Sequence, residues 1–221
     1  MLLGRLPASV KIMEQEIVNY LKDKYNPEVI LLAGSRAKGT EKDDSDWDLF
    51  LLNSSNKKGG FFEFENEILD ITIKDWPNEG SFLTIPFGPL WPVKILYNAS
   101  GERLQNLLKV TEEAHKKGPM DLYKDSVLER FQKLNRWQKK LVKYSNEAMV
   151  EFFYAGVFYE FAIRAWFELQ NKWPLSLSEA ISIIKEKDNE FFIVLQSFIT
   201  AGADKRISIA EEALKKLSKF F

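Results

Sequence analysis

The stretch Ile30–Leu52, ILLAGSRAKGTEKDDSDWDLFLL, constrains this chain more tightly than any other part of it. An apolar run, Val29 to Ala33, ends in Gly34-Ser35, and ten residues later Asp46-Trp47-Asp48 stands in a second apolar run. The first run predicts a buried strand. Gly34 permits a sharp turn with close backbone approach, and Ser35 can cap a short helix whose free N–H groups suit an anion. In the second run side chains alternate, so Asp46, Asp48 and Phe50 share one face while Trp47, Leu49 and Leu51 share the other. Two carboxylates side by side on an otherwise apolar strand repel each other and resist burial, so they call for a cation. Oxygen-only ligands favour Mg²⁺, an ion commonly shared between a few carboxylates and substrate phosphates.

Either motif alone says little: Asp-x-Asp is most often a solvated turn, and Gly-Ser a loop. Their order, spacing and strand-like flanks give them meaning. A third carboxylate adds to it. Ile68–Lys74, ILDITIK, alternates so that Ile68, Asp70, Thr72 and Lys74 face one way and Leu69, Ile71 and Ile73 the other. Asp is depleted in strands, so Asp70 in a β-branched run is out of place by propensity. Paired beside the first carboxylate strand, Asp70 joins Asp46 and Asp48 to hold two metal ions; the plainer alternative is a solvent-facing Asp on a half-exposed strand.

This pattern, Gly-Ser, ten residues, Asp-x-Asp and a later strand Asp, resembles the nucleotidyltransferases of the DNA polymerase β superfamily. The small bacterial members, kanamycin nucleotidyltransferase-like and minimal nucleotidyltransferases, are the most similar in layout. The specific motif covers residues 28 to about 98. The resemblance implies an α+β chain: an N-terminal nucleotidyltransferase fold with a mixed β-sheet, then a C-terminal all-helical bundle. It implies that Gly34 and Ser35 hold the β- and γ-phosphates of a nucleoside triphosphate. Asp46 and Asp48 would bind both Mg²⁺ ions, and Asp70 the one at the attacking hydroxyl. Arg36 and Lys38 are candidates for triphosphate contacts, with plain surface placement as the alternative.

Charge and composition exclude other classes. Lys and Arg number 31 against 32 Asp and Glu in 221 residues, so no basic excess supports an extended nucleic-acid interface. Cysteine is absent, which removes disulfides and thiolate metal sites. The start MLLGRLPASVK lacks the long apolar core of a signal peptide, and the longest apolar run, Phe152 to Tyr159, is too short to span a bilayer. A soluble, cytoplasmic protein with no membrane partner is expected. The one histidine, His115, lies in a polar helical stretch and reads as a solvated surface residue. A helical RNase of the HEPN kind needs an Arg shortly before a His, and none of the ten residues before His115 is Arg.

Along the chain, Ser9 to Tyr25 has helical spacing of Val10, Met13, Ile17, Tyr20 and Leu21, and Pro27 follows it. Asn53 to Gly60 is a turn, and the periodicity leaves open whether Phe61–Glu65 is a separate strand or continues into Ile68–Lys74. Four prolines and two glycines between residues 75 and 92 predict an irregular loop. Val93–Tyr97 reads as the last strand and Glu102–Lys117 as a helix. Gly118-Pro119 marks a change in composition, giving domains 1–118 and 119–221, the second with about five helices. Within Glu147–Gln170, apolar nearly all round, Glu160, Arg164 and Glu168 read as an outward salt-linked stripe. Glu147 and Glu151 lie about half a turn away. The aromatics Phe152 to Phe167 read as core.

In kanamycin nucleotidyltransferase-like proteins the helical domain binds the acceptor and supplies a carboxylate base. Glu151 is the candidate here by position rather than motif, an ordinary exposed Glu being the alternative. The expected function is Mg²⁺-dependent transfer of a nucleoside monophosphate, AMP from ATP, to a hydroxyl of a small-molecule acceptor such as an aminoglycoside-like antibiotic, with release of pyrophosphate. Protein adenylylation keeps the same chemistry. A catalytically degenerate nucleotide-binding or antitoxin-like interaction module is the alternative from another class.

Overall fold

A computed structural model describes residues 8–55, 58–85 and 88–220, with side chains from Ile12 onward. The expected lack of a leader falls mainly on residues 1–7, outside the described residues. The chain divides into two compact units, Met1–Ile85 with Pro89–His115, and Pro86–Gly88 with Lys116–Phe221. No helix among the described residues is long and apolar enough to cross a membrane.

The first unit is a mixed five-stranded sheet between helices. In chain order it contains α1 (Ala8–Tyr25), β1 (Val29–Leu32), α2 (Gly34–Lys38), β2 (Trp47–Leu52), β3 (Gly60–Phe64) and β4 (Glu67–Lys74). The loop that follows holds two short pieces, β5 (Thr84–Ile85) and β6 (Gly88–Pro89), before β7 (Lys94–Asn98) and α3 (Glu102–Lys117). Strand order across the sheet is β3-β4-β2-β1-β7, and β2–β4 is the parallel pair. The question over Phe61–Glu65 is resolved by a hairpin: Glu65 and Asn66 both take positive φ (50° and 69°), the geometry of a two-residue turn whose twist matches its strands.

Burial follows the alternation in sequence. On β2, Trp47, Leu49 and Leu51 are buried, and with Leu69 and Ile71 of β4 they pack against Ile17, Val18, Leu21 and Tyr25 of α1. On the opposite face Val29, Leu31 and Leu52 pack with Leu104, Leu107 and Leu108 of α3. β1 is therefore covered on both faces, as its unbroken apolar run predicts. Each fully buried Leu or Ile contributes about 1.5–3 kcal/mol, so the sheet is anchored where β1 and β2 meet.

The second unit is helical: α4 (Pro119–Lys143), α5 (Ala148–Glu168), α6 (Leu177–Lys187), α7 (Asn189–Thr200), α8 (Ala203–Leu217) and a closing 3₁₀ turn, Ser218–Phe220. Phe158, Ala162, Trp166 and Phe167 of α5 lie in a core shared with Leu134, Ile184, Phe198 and Ala213. Two expectations for α5 fail. Glu168 is buried and pairs with Arg130 of α4 at 2.9 Å, leaving only Glu160–Arg164 as the outward pair. Phe152 and Phe153, read as core, are 71% and 62% exposed, because they fall on the face that turns away from α4 and α8.

Candidate metal and phosphate site on the sheet

Register assembles the carboxylates. The parallel β2–β4 pair sets Asp48 directly opposite Asp70, and Asp46 precedes β2 by one residue on the same face. Carboxylate oxygens of Asp46, Asp48 and Asp70 all lie within 4.8 Å of one another, and all three residues are half-buried. Burial, then repulsion from Asp46 and Asp70, pushes the Asp48 carboxyl up to about 6. Asp70 is raised by burial and by Asp46. Three acidic oxygens crowded into one space, with their ionised forms disfavoured, fit a hard divalent cation well.

The turn after β1 is fitted to this cluster. The Ala33 N–H donates to the Asp48 carbonyl at 2.8 Å, which ties the turn to β2. Gly34 follows at φ +64°, and a Cβ there would stand 1.7 Å from Asp48 Oδ2. Only glycine fits, for its backbone angle and for that contact. The short helix α2 begins at Gly34 with Ala33 as its cap and no side-chain cap bond. Ser35 is thus inside the first turn rather than capping it, because the helix begins one residue earlier, with Ala33 at its cap. Gly39 closes α2 in the left-handed conformation.

Arg36 and Lys38 take different places. The Arg36 guanidinium donates to the carbonyls of Ser45 (2.6 Å) and Asp46 (3.1 Å) and to Glu67 (2.7 Å), and lies 4.4 Å from the centre of the Trp47 ring. The Trp47 indole also donates to Glu67, at 2.9 Å. Arg36 thus fastens the start of β2, and with it Asp46, to the start of β4. Lys38 is exposed and close enough to favour the ionised form of Asp48. The same ammonium, after burial, lowers His115, which is half-buried on α3 rather than solvated. Glu67 and the Trp47 indole escaped sequence reasoning. The one available signal was an acid at the head of a β-branched run, 31 residues after Arg36.

Glu151 belongs to the helical unit. It is 3% exposed, its Oε2 pairs with Arg206 Nη1 at 2.7 Å, and its Oε1 is buried with no hydrogen-bond partner. Its burial excludes the ordinary exposed Glu considered from the sequence.

The family described as Polymerase beta, Nucleotidyltransferase matches residues 15–77, the segment from α1 to just past β4 that carries every element of this site. The match lies wholly within the first unit, which is thus similar to the polymerase β-type nucleotidyltransferases. The crystal structure of a nucleotidyltransferase-like protein from Exiguobacterium sibiricum 255-15 is similar in fold. Its TM-score is 0.51 at 10% identity, over 94% of this chain and 74% of that one. No curated protein matches the chain by sequence. Within the matched segment, Asp46, Asp48 and Asp70 converge beside the Gly34 turn.

Proposed function

We propose that this chain transfers a nucleoside monophosphate, AMP from ATP, to a hydroxyl of a small-molecule acceptor and releases pyrophosphate. The observation that carries the reading is the Asp46–Asp48–Asp70 cluster pressed against the Gly34 turn. Asp46, Asp48 and Asp70 would hold Mg²⁺, which when bound supplies charge neutralisation for the phosphates and the attacking oxygen. The Gly34-Ser35 turn lets a triphosphate approach the backbone, and the α2 N–H groups lacking intrahelical acceptors suit its terminal phosphates. Lys38 adds positive charge beside Asp48 on that side. Arg36 acts through position: it fixes the backbone at Asp46 and leaves the phosphate role to Lys38. Holding the two substrates in line is the largest service such a site performs, since phosphoryl chemistry asks little covalent work of the protein.

In this reading Glu151 serves the bundle rather than the reaction, because Arg206 already occupies its Oε2. Label from [α-³²P]ATP should move to an acceptor drawn from hydroxylated amines in Mg²⁺, and the Asp46→Asn, Asp48→Asn double variant should abolish that transfer. Wild-type pyrophosphate release by the double variant would sink the metal assignment.

A further inference from the structure

Strand β3 is the edge of the sheet, and with β4 it builds a two-by-two patch on the carboxylate face. Register sets Phe61 opposite Asp70 and Glu63 opposite Ile68, so apolar and acidic groups alternate at its corners. Phe61 is 73% and Ile68 53% exposed. An open cleft of about 390 Å³ at the β3–β4 hairpin, beside Asp70 but not lined by it, is bordered by Phe61, Phe62, Glu63, Asn66 and Ile68. One exposed apolar side chain is ordinary; two on the same face next to Asp70, bordering one cleft, are a feature to be explained.

Position across the sheet decides what approaches this patch. From one side to the other stand the Gly34 turn after β1, Asp46 and Asp48 at β2, Asp70 on β4, and Phe61 on β3. In an in-line displacement the attacking and leaving oxygens lie on opposite sides of the α-phosphorus. With the leaving pyrophosphate at the Gly34 turn, the hydroxyl arrives from the β4–β3 side. We propose that the patch is the acceptor subsite, and that the acceptor is an amphipathic cation: a hydroxyl compound with a flat apolar ring and an amine. This rests on the nucleotidyl-transfer reading above. The ring lies on Phe61 and Ile68, and the amine is held by Glu63 through a charge-assisted hydrogen bond. The hydroxyl oxygen forms its bond to the α-phosphorus, the bond to the pyrophosphate oxygen breaks, and the hydroxyl proton passes to solvent. A polyhydroxylated amine without an apolar face would satisfy the carboxylates but leave Phe61 and Ile68 in water.

Two probes separate these cases: 2-amino-1-phenylethanol and 2-deoxystreptamine, both hydroxylated amines, only the first with an aryl ring. Their binding to the full chain is titrated by saturation-transfer NMR in Mg²⁺, with and without α,β-methylene-ATP. The aryl probe should bind more tightly, and Phe61→Ala should weaken it about tenfold, the range of one aromatic contact. Ile68→Ser should weaken it less. Because both side chains are exposed, neither change threatens the fold, and affinity for the ATP analogue should stay constant. Equal binding of the two probes, no binding of the aryl probe, or indifference to Phe61→Ala overturns the subsite. Failure of the wild type to bind the ATP analogue in Mg²⁺ overturns the nucleotidyl-transfer reading and the subsite with it.

Discussion

Asp48 combines a structural cost with a chemical use. Its carboxyl titrates near 6 in the folded, metal-free protein against an ordinary 3.8. Below about pH 4 it is protonated both folded and unfolded, and it imposes no penalty. As pH rises from about 4 to about 6 the unfolded chain ionises first, so stability falls; above about 6 the whole penalty is present. Asp48→Asn should therefore raise metal-free stability at pH 7 by on the order of 1–2 kcal/mol once solvent screening is allowed for. The gain should vanish by about pH 4, which thermal melts across that range would check. Mg²⁺ or Mn²⁺ must displace the same proton, so metal affinity should weaken about tenfold per pH unit below about 6, measurable by Mn²⁺ titration. Gly34→Ala is the companion prediction. Its Cβ would collide with Asp48 Oδ2, so metal and triphosphate binding should both be lost, while Gly39→Ala, with open space around it, should bear only the backbone strain.

At the scale of elements, an unbroken apolar run showed where β1 would lie, buried on both faces, and alternation showed where β2 and β4 would lie and which side of each would be dry. It could not separate β3 from β4, because the turn between them uses Glu65 and Asn66 at positive φ where glycine is the usual signal. It also mispaired Glu168. Local spacing offered Arg164 one helical turn away, but α4 brings Arg130 into the bundle, and the long-range partner wins once the carboxylate is buried. The same holds for Glu151 and Arg206, 55 residues apart. No periodicity in the sequence reports which helices become neighbours. A buried pair of this kind makes a sharp prediction. Glu151→Ala should cost about 3–5 kcal/mol of stability in the helical unit by stranding the Arg206 charge, with nucleotide affinity unchanged. A large loss of transfer at unchanged stability would instead restore Glu151 as a base. Arg36→Ala should loosen the β2 start held by Glu67 and Trp47, and so weaken metal binding more than its exposed neighbour Lys38→Ala does.

On the scale of the whole molecule, two units with separate cores should melt as two transitions. Mg²⁺ with an ATP analogue should raise only the transition of the sheet unit, by about 2.7 kcal/mol at a hundredfold excess over the dissociation constant, which calorimetry would resolve. The parallel β2–β4 pairing has a consequence for how that unit reaches its native state. These strands meet only after the chain has run through β3 and doubled back, so their alignment must be found across a loop rather than set by a turn. A slip of β4 by one residue would thrust Asp70 into the dry layer against α1 and lift Leu69 and Ile71 out of it. An unpaired carboxylate in that layer is expensive, so the misaligned sheet is rejected from both faces at once. The aspartate that completes the candidate metal cluster thus also proofreads the strands while the chain folds.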